Sequence, residues 1–148
     1  MSDFALQLRA FAAKAGKRAD QVIGRTVAEL AAEVDRRSPV GDPATWQHKP
    51  PPGYVGGHFR GNWQLGVGDI PAGEVPGVDP EGSEAQGRIL AAIPAEAAGK
   101  MYYLSNNTPY ARRLEYEGWS HQAAPGFIVG GAVAMFEAIV QRAVGAPA

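Results

Sequence analysis

The sequence predicts an α+β domain, with helices at both ends of the chain and a small β-sheet between them. Apolar residues near both termini recur at spacings of three and four, which is the period of an amphipathic helix. In the middle, residues 59–67 alternate apolar and polar side chains, and residues 101–105 form a short aromatic and apolar run, as strands do. With 148 residues, the whole chain is expected to form one domain, residues 1–148.

Residues 2–37 are predicted to be helical, in two segments. Ser2 or Asp3 can cap the first segment, and the apolar stripe restarts out of phase after Gly16, so we expect a break or kink there. Ser38 ends the second segment, because Pro39 pushes the residue before it out of helical geometry. The two stripes are Phe4, Leu8 and Phe11, followed by Ile23, Val27, Leu30 and Val34.

Residues 38–58 form a Pro/Gly-rich connection with almost no periodicity. Loops of this length are uncommon in compact domains unless they have a function. Residues 49–52, which include Pro51, are expected to be extended polyproline, and Trp46, Tyr54 and Val55 provide apolar anchors. We therefore expect the loop to pack on its own domain or on a neighbouring subunit.

Residues 59–148 contain the sheet, short helices and a C-terminal helix. The strands at 59–67 and 101–105 are expected to pair in one sheet. A helix between them begins with a capping box formed by Ser83 and Gln86 and ends at Pro94.

Residues 101–119, which we call the hub, combine the second strand with a turn and a short helix. Thr108 is predicted to cap this helix, Pro109 to occupy its first position and Gly118 to end it. Tyr110 and Leu114 lie four residues apart and therefore share one face of it.

The last helix is predicted over residues 127–144, and it is apolar over much of its circumference. Such a helix is expected to be buried on several sides, by the N-terminal helices or by another subunit. Its main apolar stripe is Val129, Val133, Phe136, Val140 and Val144.

Composition excludes several function classes. The net charge is −1, which argues against a dedicated nucleic-acid binder. There are no cysteines, so disulfides, zinc–thiolate sites and a cysteine nucleophile are excluded. We expect neither a membrane span nor a secretion signal, because no apolar run approaches the required length and no basic region precedes one.

Residues that carry catalysis or bind metals are not found in a convincing pattern. His48, His58 and His121 lack the spacing of a metal-binding helix, so exposed loop histidines are the preferred interpretation. Glu115 and Glu117 are two apart and cannot face each other on a helix. We therefore predict no catalytic residues, no metal and no cofactor.

Aromatic residues in and near the hub leave two interpretations open. They can stack on sugars or bases, or they can pack in a core or interface, where aromatic residues are enriched. The packing interpretation is preferred for aromatic residues at strand and helix spacing. The residues concerned are Tyr102, Tyr103, Tyr110, Tyr116 and Trp119.

The order of these motifs resembles that of the tailed-bacteriophage neck or tail-completion proteins, also described as minor tail components. The resemblance covers about residues 19–144. It rests on Arg-Arg-Ser-Pro-Val at 36–40, Gly-His-Phe-Arg-Gly-Asn-Trp at 57–63, the run 103–111, Leu-Glu-Tyr and Gly at 114–118, and Ala-Pro-Gly at 124–126. Residues 41–57 depart from the family, which has a short Asp-Thr-Gly turn at this point.

The resemblance implies a structural protein of the virion, not an enzyme, assembled in the host cytoplasm. Copies would form a homo-oligomeric ring at the head–tail junction, in contact with the connector and with tail tube or terminator proteins, while DNA passes through without specific binding. The alternatives are a tail terminator that caps the tail tube and, in a different class, a glycan- or nucleotide-binding module; a hydrolase ranks last. The predicted interface residues are Trp46, Pro51, Tyr54, Val55, Tyr110, Arg113, Tyr116, Trp119, Phe136 and Val140.

Overall fold

The computed structural model describes residues 3–147, and it confirms the α+β class. Within this range, five α-helices accompany a two-stranded antiparallel sheet. Single turns of 3-10 helix span Pro43–Thr45 and Arg60–Asn62. The elements are α1 Asp3–Arg36, β1 Trp63–Val67, α2 Ser83–Ala92, β2 Tyr102–Asn106, α3 Ala111–Tyr116, α4 Val129–Ala134 and α5 Phe136–Gly145.

The sheet pairs β1 with β2, which confirms the predicted pairing. Trp63 lies opposite Asn106, and Val67 lies opposite Tyr102. The prediction that the first strand begins at residue 59 was wrong, because residues 60–62 form a helical turn. Asn62 explains the difference. Its side chain exchanges two hydrogen bonds with the backbone of Val75, at 2.7 and 3.0 Å, and this keeps residues 60–62 from pairing in the β-sheet.

Helix α1 is continuous over 34 residues, so the predicted break near Gly16 was wrong. Residues around Gly16 are exposed, and the position of its absent Cβ meets nothing within 4 Å. No tertiary contact depends on Gly16. Its cost to the helix is therefore only the intrinsic one, about 1 kcal/mol relative to alanine. Ser2, the alternative predicted cap, lies outside the described residues.

The C-terminal segment is two helices, so the prediction of one helix over 127–144 was also wrong. Met135 ends α4 and precedes α5, with φ −92° and ψ 0°. Arg37 crosses at this point: it donates to the Phe127 carbonyl at 3.2 Å, and its guanidinium lies close to the sulfur of Met135 at 3.5 Å. Gly131 leaves the space that the Arg37 side chain occupies.

Burial of these helices agrees with the prediction on one side only. Their buried side chains are Ile128, Ala132, Ile139 and Ala143. The main apolar stripe, which was also expected to be covered, is exposed or half-buried in the isolated chain, because α5 packs along α1 through the side that carries Ile139 and Ala143. We call this outward-facing row the C-terminal stripe; it consists of Val129, Val133, Phe136, Val140 and Val144.

Two predicted helix caps differ in the structure. Gly82, with φ +77°, precedes α2, and Asp79 accepts a hydrogen bond from the Ala85 N–H at 2.9 Å, so the predicted capping box is not formed. In the hub, α3 begins at Ala111 instead of Pro109, and the Thr108 hydroxyl donates to the Asn106 side chain at 2.8 Å. The prediction for the other end was confirmed, since Gly118 follows α3 with φ +65°.

The core joins α1, β1, α2 and α4. It contains Val34, Phe59, Trp63, Ile89 and Ile128. The indole N–H of Trp63 donates to the Ser38 hydroxyl at 2.7 Å, so the buried tryptophan has a polar partner. No helix within residues 3–147 is long and apolar enough to cross a membrane.

Candidate functional site

A cleft of about 760 Å³ lies between the 39–58 loop and the hub. We call it the aromatic cleft, because Trp46, Tyr54, Phe59, Tyr110 and Trp119 all line it. Clefts of this size are typical of sites that bind small molecules or peptide segments. Four of these five residues were predicted as interface residues from the sequence.

The loop wall of the cleft is shaped by local hydrogen bonds. Asp42 accepts from the Ala44 N–H at 3.0 Å, which caps the short 3-10 helix that leads to Trp46. A turn follows, in which the Tyr54 N–H donates to the Pro51 carbonyl at 3.1 Å. Gly53 within this turn has φ +73°, which favours glycine. The turn brings the rings of Trp46 and Tyr54 to 4.7 Å between centroids.

The opposite wall is fastened to the loop by Gln122. Its amide oxygen accepts from the Val40 N–H at 3.1 Å, and its amide nitrogen donates to the Val40 carbonyl at 2.7 Å. This two-point contact fixes the mouth of the cleft, because a single side chain satisfies both backbone groups of one residue. Neither Gln122 nor this pairing was anticipated from the sequence.

The floor of the cleft is made by aromatic packing. Phe59 lies 6.3 Å from the Tyr110 ring and 5.8 Å from the Trp63 ring, so the floor connects directly to the core. Burial is the main cause that raises the pKa of the Tyr110 hydroxyl above its ordinary value. The Tyr110 hydroxyl can donate a hydrogen bond to a ligand in the cleft.

Exposed rings continue from the cleft along the outside of the hub. The Arg113 guanidinium stacks 4.3 Å above the Trp119 ring, and Arg112 lies 5.6 Å from the Tyr116 ring. Trp119 and Tyr116 both remain exposed. Stacked arginine and aromatic side chains of this kind are common at the centres of protein interfaces.

All three histidines line or approach the aromatic cleft: His48, His58 and His121. The His58 ring bonds the Gly77 carbonyl at 2.7 Å and the Glu74 carboxylate at 3.0 Å. These two hydrogen bonds, the first contributing most, raise the pKa of His58 above its ordinary value. Among residues 3–147, no group of three or more metal-ligating side chains is close enough to hold an ion.

The remaining predicted interface residues lie in two places. Pro51 and Val55 are exposed on the loop beside the cleft. Phe136 and Val140 belong to the C-terminal stripe on α5, which is a separate surface. The structure therefore brings four predicted residues into one cleft, places Arg113, Tyr116, Pro51 and Val55 near its outer side, and leaves Phe136 and Val140 elsewhere.

Two charged residues hold the site together in roles that the sequence did not reveal. Arg60 donates to the carbonyls of Ser38, at 2.7 Å, and Pro80, at 2.9 Å, and so ties the start of the loop to the segment before α2. Glu115 accepts from three backbone N–H groups at the start of α4. The partners of Arg60 and Glu115 are distant in the chain, so residue spacing gave no sign of them.

Comparisons of the chain with protein-family models, curated proteins and solved structures find no match.

Proposed function

We propose that this protein is a structural component of a bacteriophage virion, which assembles as a homo-oligomeric ring at the head–tail junction and joins or seals the tail to the head connector. The observation that carries the proposal is the C-terminal stripe, an apolar row that faces solvent in the isolated chain. Contiguous apolar surface of this kind marks protein-interaction sites. The motif order described above supports the assignment to the neck.

The loop and hub fit the same role as the second contact surface of a ring subunit. The long Pro/Gly-rich loop at 39–58 and the stacked Arg113–Trp119 pair lie on another part of the chain from α5, so one copy offers two distinct faces. A heterologous contact between different faces closes into a ring when the rotation permits. The connector and the tail tube or terminator proteins would then bind the ends of the ring.

Near-neutral charge agrees with passage of DNA through such a ring. The net charge of −1 leaves no excess of basic side chains to bind phosphates. Affinity for DNA rises steeply with the number of lysine and arginine contacts, so few contacts let the duplex slide. On this proposal the protein works in the virion after assembly in the host cytoplasm. A tail terminator would share these properties and differ in its position and neighbours.

The test is assembly of the purified protein, alone and with the connector and tail proteins of the same virus. Native mass spectrometry and negative-stain imaging are expected to show a ring, and antibody labelling is expected to place it at the neck. Phe136→Asp should prevent ring formation, whereas the exposed control Gln141→Asp on the same helix should not. A strict monomer that never joins particles would contradict the proposal, and labelling at the tail tube end would favour the terminator.

A glycan- or nucleotide-binding module is the second candidate, because the aromatic cleft offers stacked rings together with hydrogen-bonding groups. Trp46 and Tyr54 form one wall, and Gln122 and the histidines add polar atoms. Calorimetry with a panel of oligosaccharides and nucleotides tests it directly. Specific binding that is lost in Trp46→Ala and kept in Tyr116→Ala, which alters a ring outside the cleft, would favour this candidate over the ring.

A further inference from the structure

The aromatic cleft carries hydrogen-bond donors that the protein itself does not use. Within residues 3–147, the indole N–H groups and phenol hydroxyls of four lining residues donate to no protein acceptor. Such donors are available to a ligand that brings acceptors. The four residues are Trp46, Tyr54, Tyr110 and Trp119.

Three polar side chains in the same lining are already bonded within the protein. Asp42 accepts from the Ala44 N–H at 3.0 Å, and the amide oxygen of Gln122 accepts from the Val40 N–H at 3.1 Å. Both ring nitrogens of His58 are also bonded to protein acceptors. The cleft therefore favours a ligand that has acceptors and few donors over one with many hydroxyl groups, each of which also donates.

The charges around the cleft are acidic or paired. No lysine or arginine lines it in the part of the chain that the structure describes. Asp42 is exposed in the lining and forms no ion pair with any residue of 3–147, whereas the nearby Glu74 is paired with His58 at 3.0 Å. These charges disfavour a phosphate or another anion and favour a ligand with a basic group.

The rings of the cleft are inclined to one another and are held in place by the protein. Trp46 and Tyr54 lie 4.7 Å apart at 54°, and Phe59 and Tyr110 lie 6.3 Å apart at 48°. Gly41 has no Cβ, which leaves the space that the Tyr54 hydroxyl occupies. Inclined rings make a ridged wall, and a wall that is already formed keeps the ordering cost of binding low.

A proline-rich peptide segment combines the properties that this cleft selects. Each proline presents a carbonyl acceptor, lacks the N–H donor and carries an apolar ring. Proline runs adopt the polyproline II helix, which has no internal hydrogen bonds, so their carbonyls remain free to accept. Aromatic-lined grooves bind such segments in other proteins, because the preformed helix loses little entropy on binding.

We propose that the aromatic cleft binds a proline-rich segment of a partner protein, with a basic residue of that segment beside Asp42. The inference goes beyond the proposed ring and does not depend on it, because one copy contains the whole cleft. A short peptide in a cleft buries less area than a subunit interface, so the contact is expected to be weak and reversible.

Calorimetric titration of the full chain with a synthetic peptide tests the proposal. The probe is about ten residues long, roughly 31 Å as polyproline II, and consists of proline with one central lysine. One matched peptide has glycine and serine at the proline positions, and another has glutamate in place of the lysine. We expect the probe to bind, the glycine–serine peptide to bind at least about tenfold more weakly, and the glutamate peptide about two- to fivefold more weakly.

Substitutions in the cleft identify the side chains that carry the binding. Trp46→Ala should weaken binding of the probe at least about tenfold, as loss of a central aromatic contact does. Tyr54→Phe keeps the ring and removes the hydroxyl, so it should weaken binding about two- to tenfold through one lost hydrogen bond. Asp42→Asn keeps an acceptor for the 3-10 helix and should abolish the preference for lysine over glutamate. Tyr116→Ala, which alters an exposed ring outside the cleft, is the matched control and should leave the affinity unchanged.

The outcomes separate a proline-rich partner from other occupants. Equal binding of the glycine–serine peptide, or no heat with the probe up to about 1 mM, would overturn the inference. Binding of an oligosaccharide and not of the probe would overturn it and favour the glycan-binding module. A wild-type dimer that dissociates in the Pro51→Ala, Pro52→Ala double variant would assign the cleft to a second copy and overturn the partner protein.

The same measurements keep this inference apart from the proposed function. A ring that forms in a protein without affinity for the probe would overturn the inference and leave the ring standing. Binding of the probe by a strict monomer would support the inference and refute the ring.

Discussion

Glu115 is the side chain whose removal we expect to destabilise the fold most. Its carboxylate accepts hydrogen bonds from the N–H groups of Ile128, Val129 and Gly130, at 3.1, 3.0 and 3.1 Å. These N–H groups lie at the start of α4, where a helix has no internal acceptors for them. Glu115 therefore joins the hub to the C-terminal helices, and Glu115→Ala breaks that connection.

The cost follows from the burial of the three donors. A hydrogen bond to a charged group contributes about 1.5–3 kcal/mol, and a buried donor left without a partner costs about 1–3 kcal/mol. The Ile128 N–H is buried, whereas the Val129 and Gly130 N–H groups are partly exposed and can regain water. We therefore expect Glu115→Ala to lower the free energy of unfolding by about 3–4 kcal/mol, with the full cost at one donor and a reduced cost at two.

Urea unfolding followed by tryptophan fluorescence measures this free energy. Glu117→Ala, an exposed glutamate two residues further on, is the matched control and should change it by less than about 0.5 kcal/mol. Glu115→Gln should fall between the two, because one side-chain oxygen remains as an acceptor. If Glu115→Ala unfolds at the same urea concentration as Glu117→Ala, the carboxylate does not hold α4 in place and the reasoning fails.

Three further predictions concern other parts of the chain. Ser38→Ala removes the buried acceptor of the Trp63 indole N–H and should lower the free energy of unfolding by about 1–2 kcal/mol, so an unchanged urea midpoint would contradict it. Burial raises the pKa of Asp35 to about 7 from its ordinary 3.8, so its stability contribution is largest below pH 4 and is lost as the pH rises through 7. Asp35→Asn should accordingly gain roughly 2–4 kcal/mol relative to the wild type between pH 4 and pH 8, and a difference independent of pH in thermal unfolding would refute this. Gly16→Ala should strengthen the exposed helix by about 1 kcal/mol and slow amide hydrogen exchange around residue 16; unchanged exchange would count against a continuous α1.

The sheet and the helical ends were predictable because their signals are local and periodic. Alternation in residues 59–67 and the aromatic run at 101–105 each predicted a strand without reference to the rest of the chain, and the strands observed are Trp63–Val67 and Tyr102–Asn106. The prediction of a break at Gly16 failed, because the phase of the apolar stripes and the presence of a glycine do not reveal whether a helix face has neighbours. Only the exposed surroundings of Gly16 show that nothing forces a kink there.

The buried side of the C-terminal helices was not predictable for a different reason. Both sides of the segment are apolar, and the buried one combines Ile128 and Ile139 with the small residues Ala132 and Ala143. Small side chains let helices approach closely, but hydropathy ranks the valines and Phe136 above them. The choice between the two sides is made by packing on α1, which no local pattern encodes.

The aromatic residues of the candidate site were predicted from the sequence. The polar side chains that hold the site in place were not. Tyr54 and Trp119 were named from the aromatic content of the hub and the length of the loop, and that reasoning needs no long-range information. Glu115, Arg60 and Gln122 act on backbone groups far along the chain. Polar side chains with distant backbone partners give no signal in spacing, so they become visible only in three dimensions.

The two ends of the loop that forms one wall of the aromatic cleft lie side by side. A Cβ atom on Gly56 would come within 2.9 Å of the Val40 side chain and 3.1 Å of the Gly41 carbonyl carbon, and Gln122 fastens Val40 from the other side. Residues 42–55 therefore form a loop whose two ends lie close together. Doubling the length of such a loop costs only about 0.6 kcal/mol in closure entropy. We therefore expect that an epitope or a different recognition sequence can be grafted between Gly41 and Gly56 while the rest of the fold keeps its shape.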